Sequence, residues 1–232
     1  MIKRFIAFAM MAGLGVIFMA LLAGYEPDAA LNLTALYYAE NTAREIGAAN
    51  IVTAIVVTYR GLDTLGEVTV LFLASTIVGL VLSMGRKTQA GQSKLVPVGE
   101  LLTTGSRFLA PLVMLLGVYI FVNGHLTPGG GFQGGAVIAS GALLLLLADP
   151  LKHFSHTLIS VVESFAGAAY VLIGVLGLIL AGGFLDNRFL PLGDLGVLFS
   201  AGAIPLIYSL IGLKVGAEFA SILANLSQTE EL

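Results

Sequence analysis

Long apolar runs are the feature that most constrains this sequence. A helix needs about 20 mainly apolar residues to cross a hydrocarbon core about 30 Å thick. Asp, Glu, Lys and Arg make up only 11% of the 232 residues, compared with about 25% in an ordinary soluble domain. The sequence therefore predicts an all-α polytopic membrane protein with about six transmembrane helices. The runs that predict these helices are Phe5–Ala23, Val68–Met84, Phe108–Val122, Ala136–Ala148, Leu158–Ala181 and Leu195–Leu213.

The segment Ile46–Val57 is also apolar, but it is too short to span a membrane. Lys and Arg concentrate in cytoplasmic loops, so their positions test whether this segment crosses the membrane. With six spans, eight of the 11 cationic residues lie inside and three lie outside. A seventh span would split them 7 to 4 at best and would move Lys3 and Arg4 outside. The sequence therefore predicts a short helix at Ile46–Val57 that lies on or dips into the outer face, and both termini in the cytoplasm.

A change in composition divides the chain into two modules. Residues 86–106 are polar and mixed in charge, and they follow the second apolar run. Such a stretch is typical of a linker between modules. We predict a module of two spans and the short helix at residues 1–85, an inner-face linker at 86–106, and a module of four spans at 107–232.

The composition also excludes several functions. The chain has no Cys, so disulfides, thiolate metal sites and cysteine nucleophiles are excluded. Its net charge is −3, and no basic cluster is longer than Arg86-Lys87, so it lacks the basic patch of a nucleic-acid-binding protein. The sequence indicates no metal or cofactor.

Ionisable residues in or beside a span are functional candidates, because burying a charge in a membrane is costly. Asp63 and Glu67 are four residues apart and would share a helix face, as a cation or proton moving between two carboxylates requires. The alternative is structural. Thr64 and Glu67 have the spacing of a capping box, in which Glu67 only hydrogen-bonds the start of the helix.

Two further groups of ionisable residues lie in the second module. Glu163 lies inside an apolar run, where it is a candidate for ion translocation. The alternative is a second capping box, in which Ser160 and Glu163 bond the start of the helix. Lys214 and Glu218 follow the last run, and snorkelling with an i,i+4 contact accounts for them. Pro205 inside that run predicts a kink.

A glycine-rich stretch between two spans is the third constellation. Residues 124–135 read Gly-His-Leu-Thr-Pro-Gly-Gly-Gly-Phe-Gln-Gly-Gly. A phosphate-binding P-loop needs a preceding strand and a Gly-Lys-Ser/Thr ending, and both are missing. The stretch predicts a tight outer-side connection in which His125 and Gln133 line a wet cavity or bond free backbone groups.

Residues 117–135 resemble the signature of the MnhB family, the B subunit of Mrp-type multisubunit cation/proton antiporters. Upstream, residues 50–67 resemble the MbhE-like part at the C-terminus of the large A subunit, with Thr58, Tyr59 and Leu62 as a mild departure around Arg60-Gly61. The order of the two resemblances suggests a fusion at the linker. The same modules occur in membrane-bound energy-converting hydrogenases and related ferredoxin-dependent complexes. The signature-loop residues matched are His125, Pro128, Gly129, Gly130, Gly131, Phe132, Gln133 and Gly134.

The resemblance implies a non-redox membrane subunit that helps exchange sodium for protons beside larger, complex-I-like subunits of one hetero-oligomeric complex. Asp63 and Glu67 match an acidic motif implicated in ion movement. The cell inner membrane is the expected location. The first alternative is a non-conducting structural subunit of a hydrogenase or ferredoxin-dependent complex. The second is a redox enzyme with His125, His153 or His156 as haem ligands, which the lack of opposed histidine pairs within spans disfavours.

Overall fold

The computed structural model describes residues 2–25, 30–85, 99–149 and 155–230. Within these ranges the regular elements are all helical. The α-helices are α1 (Ile2–Ala23), α2 (Leu33–Glu45), α3 (Ile51–Ala54), α4 (Gly61–Gly85), α5 (Glu100–Val122), α6 (Gly131–Ala148), α7 (His156–Leu180) and α8 (Ile204–Glu230). A π-helix (Ile55–Tyr59) follows α3, and a 3-10 turn (Asn187–Phe189) precedes α8.

The predicted fold class is confirmed. Six of the helices in the described ranges, namely α1 and α4 to α8, are long and apolar enough to cross a membrane. The α5 helix begins at Glu100, so residues 100–106 of the predicted linker are helical. Residues 86–98 of that linker, and His153, lie outside the described residues.

The short helix predicted at Ile46–Val57 is present but is displaced toward the C-terminus. The helical part is α3 followed directly by the π-helix, and it ends at Tyr59. Ala54 and Val57 are fully buried, whereas Ile51 and Val52 are exposed, and the π-helix contacts α4 and α8, so the segment is embedded on one side. A further helix, α2, was not predicted, because its many polar residues give no apolar run.

The predicted sixth span begins too early. Residues 195–203 form an irregular loop, and α8 starts at Ile204. Ala201 has a φ of 63° and Gly202 a φ of 55°, which an α-helix cannot accommodate. Pro205 is the second residue of α8 rather than an internal kink, and the first helical turn tolerates proline because its N–H groups have no helical partner.

The chain divides into two compact units, Met1–Tyr37 and Tyr38–Leu232. In the first unit α1 has no buried residue. In the second unit α8 is the central helix and contacts α4, α5, α6 and α7. Its fully buried stripe of Ile204, Ile207, Ile211 and Val215 follows the spacing of one helix face. The core of the second unit therefore surrounds α8.

Candidate functional site

The carboxylates of Asp63 and Glu67 lie on α4, as the spacing predicts, and both are exposed. Arg60 Nη2 lies 2.5 Å from Asp63 Oδ2. Both carboxylates and Arg60 line one cleft of about 190 Å³, together with Thr64 and the π-helix residues Ile55 and Val56. Glu67 makes no hydrogen bond or salt bridge with any described residue. The structure therefore places both carboxylates at the same cleft, where Asp63 forms a salt bridge with Arg60 and Glu67 forms none with a described residue.

The capping box expected of Thr64 and Glu67 does not form. The α4 helix begins at Gly61, so Thr64 lies inside the first turn instead of preceding the helix. Its hydroxyl donates to the carbonyl oxygen of Val56 at 2.6 Å. The π-helix ends at Tyr59, and the Asp63 N–H in the first turn of α4 donates to the carbonyl oxygen of Arg60 at 2.9 Å. Glu67 is free of the structural role that its spacing predicted.

Glu163 does not take part in a cap either. The N-cap of α7 is Ser155, whose hydroxyl accepts a hydrogen bond from Leu158 N–H at 3.2 Å. Glu163 lies about two turns inside α7 and is half-buried. The positive charge of Lys214 acts electrostatically on the Glu163 carboxyl. The structure therefore leaves Glu163 as an ionisable group within a membrane-length helix.

Lys214 and Glu218 form a buried ion pair near the middle of α8. Lys214 Nζ lies 2.8 Å from Glu218 Oε1, and the two side chains are 11% and 0% exposed. The predicted i,i+4 contact is confirmed, but snorkelling is wrong, because α8 begins nine residues later than the predicted span and places Lys214 at mid-helix. The misplaced helix start is why the burial of this pair was not predicted from the sequence.

The surroundings of Lys214 contain both an aromatic ring and open space. Its ammonium group lies 4.8 Å from the centroid of the Phe72 ring, within the range of a cation–π contact. Lys214, Phe72, Gly167 and Tyr170 line a cleft of about 180 Å³ between α4, α7 and α8. We call Glu163, Lys214 and Glu218 the charge cluster.

The glycine-rich stretch is hydrogen-bonded to the segment that precedes α3, within the second unit. The carbonyl oxygen of His125 accepts hydrogen bonds from the Ala49 and Asn50 N–H groups, both at 3.0 Å. Asn50 Nδ2 donates to the carbonyl oxygens of Gly124 (2.9 Å) and Thr127 (3.0 Å). Asn50 Oδ1 also caps α3. The loop is therefore bound to the start of α3.

Side chains from α3 and α8 complete this connection. The Thr53 hydroxyl donates to the carbonyl oxygen of Gly124 at 2.6 Å, and the Tyr208 hydroxyl donates to Thr53 Oγ1 at 3.0 Å. Glycine is required at 124, because a Cβ there would lie 2.7 Å from the Tyr208 ring. We call residues 124–127 with Asn50, Thr53 and Tyr208 the clasp.

His125 and Thr53 are fully buried within the clasp. Burial disfavours the charged imidazolium and lowers the pKa of His125 below its ordinary value of 6.5, and carbonyl oxygens of Val197, Leu198 and Val122 oppose this effect. His125 and His156 lie beyond opposite ends of α6, whose 18 residues span about 27 Å. These two histidines cannot ligate one haem.

We predict that acid weakens the clasp through His125. A group whose native pKa is depressed below its unfolded value of 6.5 is neutral in the fold, so stability is complete above pH 6.5 and falls as the pH drops toward the native pKa. The thermal unfolding midpoint of the purified complex should therefore fall between pH 6.5 and pH 5. In His125→Gln the slope over this interval should be smaller. An unchanged slope would contradict a role for His125.

Comparisons with known proteins agree with this architecture. Residues 101–221 match a family described as a domain related to the MnhB subunit of Na⁺/H⁺ antiporter, and residues 2–94 match the MbhE family of MBH subunits. An uncharacterized protein of Methanocaldococcus jannaschii is 30% identical over 217 residues, which cover 78% of this chain and 82% of that protein.

Two solved structures have the same fold. A chain of the membrane-bound sulfane sulfur reductase, an archaeal respiratory membrane complex, superposes with a TM-score of 0.80 at 42% identity, and the match covers 97% of this chain and 98% of that one. A chain of the Mrp complex from Dietzia sp. gives a TM-score of 0.78 at 25% identity, over 97% of this chain and 26% of that one. This chain belongs to the MnhB-related family of membrane subunits, with an MbhE-type module preceding the MnhB-type module.

Proposed function

We propose that this chain is a membrane subunit of a multisubunit sodium/proton antiporter module, in which it assists ion translocation beside larger subunits. The observation that carries the proposal is Glu67, an exposed and unpaired carboxylate in the second turn of a membrane-length helix. A charge in that position is costly against lipid. A neighbouring subunit or a hydrated ion path would relieve this cost. The chain itself is not the catalyst of a chemical reaction.

The comparisons support this proposal in two ways. The family is described by its relation to a Na⁺/H⁺ antiporter subunit, and the matching Dietzia sp. chain comes from an Mrp complex. We further propose that the domain boundary lies at residues 86–106, between the matched ranges 2–94 and 101–221. The chain would lie in the inner membrane, with sodium ions and protons as its cargo.

The second candidate is a non-conducting structural subunit of a membrane-bound hydrogenase or a related ferredoxin-dependent complex. The observation that favours it is the Arg60–Asp63 salt bridge, because a carboxylate held by a guanidinium is less available to a passing cation. The match to a respiratory membrane complex is compatible with this candidate. The two candidates differ in whether cation-driven proton flux depends on the carboxylates of this chain.

Association with partner subunits is the first prediction of the proposal. We expect the chain to co-purify with other membrane subunits from mild detergent. The chain reconstituted alone should give no sodium/proton exchange in liposomes, whereas the whole complex should. Exchange by the isolated chain would contradict an accessory role.

The topology provides a second prediction. Lys and Arg placement puts residues 85–106 inside and residues 25–63 outside. Since the chain has no Cys, single cysteines can be labelled without background. An impermeant reagent added outside should label Asn32→Cys and leave Thr88→Cys unlabelled; residue 88 lies outside the described residues. Labelling of Thr88→Cys from the outside would contradict the six-span topology.

A further inference from the structure

An ion pair of α8 lies where α7 packs against α8, on the side of α7 that carries Glu163. The Lys214 ammonium lies 2.8 Å from Glu218 Oε1. It also lies against Gly167, where an added Cβ would be 3.4 Å from Nζ. Because residues four apart share a helix face, contact with Gly167 places the ammonium beside the face of α7 that carries Glu163. Lys214 therefore lies between its partner Glu218 and the α7 face of Glu163, and its charge acts on Glu163 from beyond salt-bridge distance.

The charges of this cluster do not balance. With all three groups ionised, two carboxylates and one ammonium carry a net charge of −1. Glu218 and Lys214 are both buried, and an uncompensated charge at such a depth is strongly unfavourable. One further positive charge would make the cluster neutral.

A proton satisfies this requirement better than a sodium ion. The Lys214 ammonium already occupies the cation position beside Glu218 and would repel a second metal cation. Sodium would also need several oxygen ligands, whereas a proton needs only one carboxylate oxygen. Further groups beside the ammonium are the Phe72 ring of α4, at 4.8 Å, and Tyr170 of α7, whose hydroxyl donates to the carbonyl oxygen of Gly61. Neither supplies a positive charge. Glu67 of α4 acts electrostatically on Tyr170, but it is exposed in the separate cleft with Arg60 and Asp63, so it is not counted in the cluster.

We propose that the charge cluster binds one exchangeable proton, held on Glu163, and that the Lys214–Glu218 ion pair sets this number to one. Glu218 is the fixed partner, since it is fully buried and paired at 2.8 Å. Glu163 is half-buried and therefore the carboxyl that can exchange. The use of this proton in antiport rests on the proposed function, but its binding does not.

Glu163 is half-buried, so its carboxyl is accessible for exchange of that proton. The cleft of about 180 Å³ beside Lys214 is lined mainly by apolar side chains, and Glu163 is not part of its wall. The proton therefore exchanges at the accessible side of Glu163 and not through this cleft. On release, the O–H bond of the Glu163 carboxyl breaks as a new O–H bond forms on a water oxygen. The products are a carboxylate and a hydronium ion, and uptake is the reverse.

Charge counting gives a specific test by infrared difference spectroscopy of the purified complex at neutral pH. The measured quantity is the C=O stretch of protonated carboxyl groups, as variant minus wild type. Glu163→Gln should lose one protonated carboxyl. Glu218→Gln should also lose one, although Glu163 is still present, because Glu163 then becomes the ionised partner of Lys214. Lys214→Met should gain one, because both carboxyls must then be neutral.

Two controls keep the test decisive. Lys214→Arg preserves the charge count and should show no change, and Glu100→Gln, at the exposed start of α5, should show none either. Loss of the band in Glu163→Gln but not in Glu218→Gln would overturn the role of the ion pair. No loss in Glu163→Gln would overturn the proton site. The expected band pattern in a complex without antiport would contradict the proposed function alone, whereas antiport without this pattern would contradict the proton site alone.

Discussion

Glu67→Gln should assemble at near-normal levels and lose most sodium-driven proton exchange, by about tenfold or more. The amide keeps the size of the side chain but supplies neither a negative charge nor a proton that can leave and return. The structure removes the strongest structural explanation for Glu67, because Thr64 bonds Val56 and forms no capping box. A loss of exchange in this variant would therefore report on the charge.

The measurement is proton flux in inverted membrane vesicles after addition of sodium, with the abundance of the complex determined in the same membranes. Glu67→Asp keeps the charge on a shorter side chain and should retain part of the exchange. Asp63→Asn should have a smaller effect than Glu67→Gln, because Arg60 already holds the Asp63 carboxylate. Glu100→Gln is the matched control at an exposed helix start. Full exchange by Glu67→Gln would favour the non-conducting structural subunit.

Gly117→Val should strongly reduce the amount of this chain that is incorporated into the assembled complex. A Cβ at residue 117 would lie 2.7 Å from the carbonyl oxygen of Gly134 and 3.1 Å from the backbone nitrogen of Ile138. Backbone atoms cannot move aside as a flexible side chain can, so α5 and α6 would have to separate. Overpacking of this kind costs about 1–3 kcal/mol and sometimes more.

The matched control for this variant lies on the same helix. Gly105 of α5 has no atom within 4 Å of an added Cβ, so Gly105→Val changes the helix propensity equally without a clash. We expect a large fall in the thermal unfolding midpoint of the complex for Gly117→Val and little change for Gly105→Val. Equal shifts would show that helix propensity, and not the contact between α5 and α6, explains the effect.

The sequence alone determined the fold class, because the hydrocarbon core fixes the length of a spanning helix and strongly limits its charges. The six apolar runs each correspond to one membrane-length helix. The spacing of Asp63 and Glu67 also placed both carboxylates on α4 beside one cleft. The resemblance of residues 117–135 and 50–67 to two families was confirmed by the matched ranges.

Local sequence patterns predicted the wrong first residue for some of the helices. Residues 195–203 are as apolar as a span, but left-handed backbone at Ala201 and Gly202 delays α8 until Ile204. Pro205 was the available signal, since proline is favoured in the first turn of a helix. The same kind of error produced the capping boxes assigned to Glu67 and Glu163, because a spacing shows which residues can form a cap but not where the helix starts.

Only the tertiary structure decided which charges are buried together. Glu163 and Lys214 are 51 residues apart in the sequence, and their proximity depends on how α7 packs against α8 around Gly167. The clasp likewise joins Asn50 to the carbonyl oxygens of Gly124 and Thr127. Apolar runs specify which segments enter the membrane, because transfer of each helix depends on its own composition. Pairing between helices depends on close packing and on long-range hydrogen bonds, which no local pattern encodes.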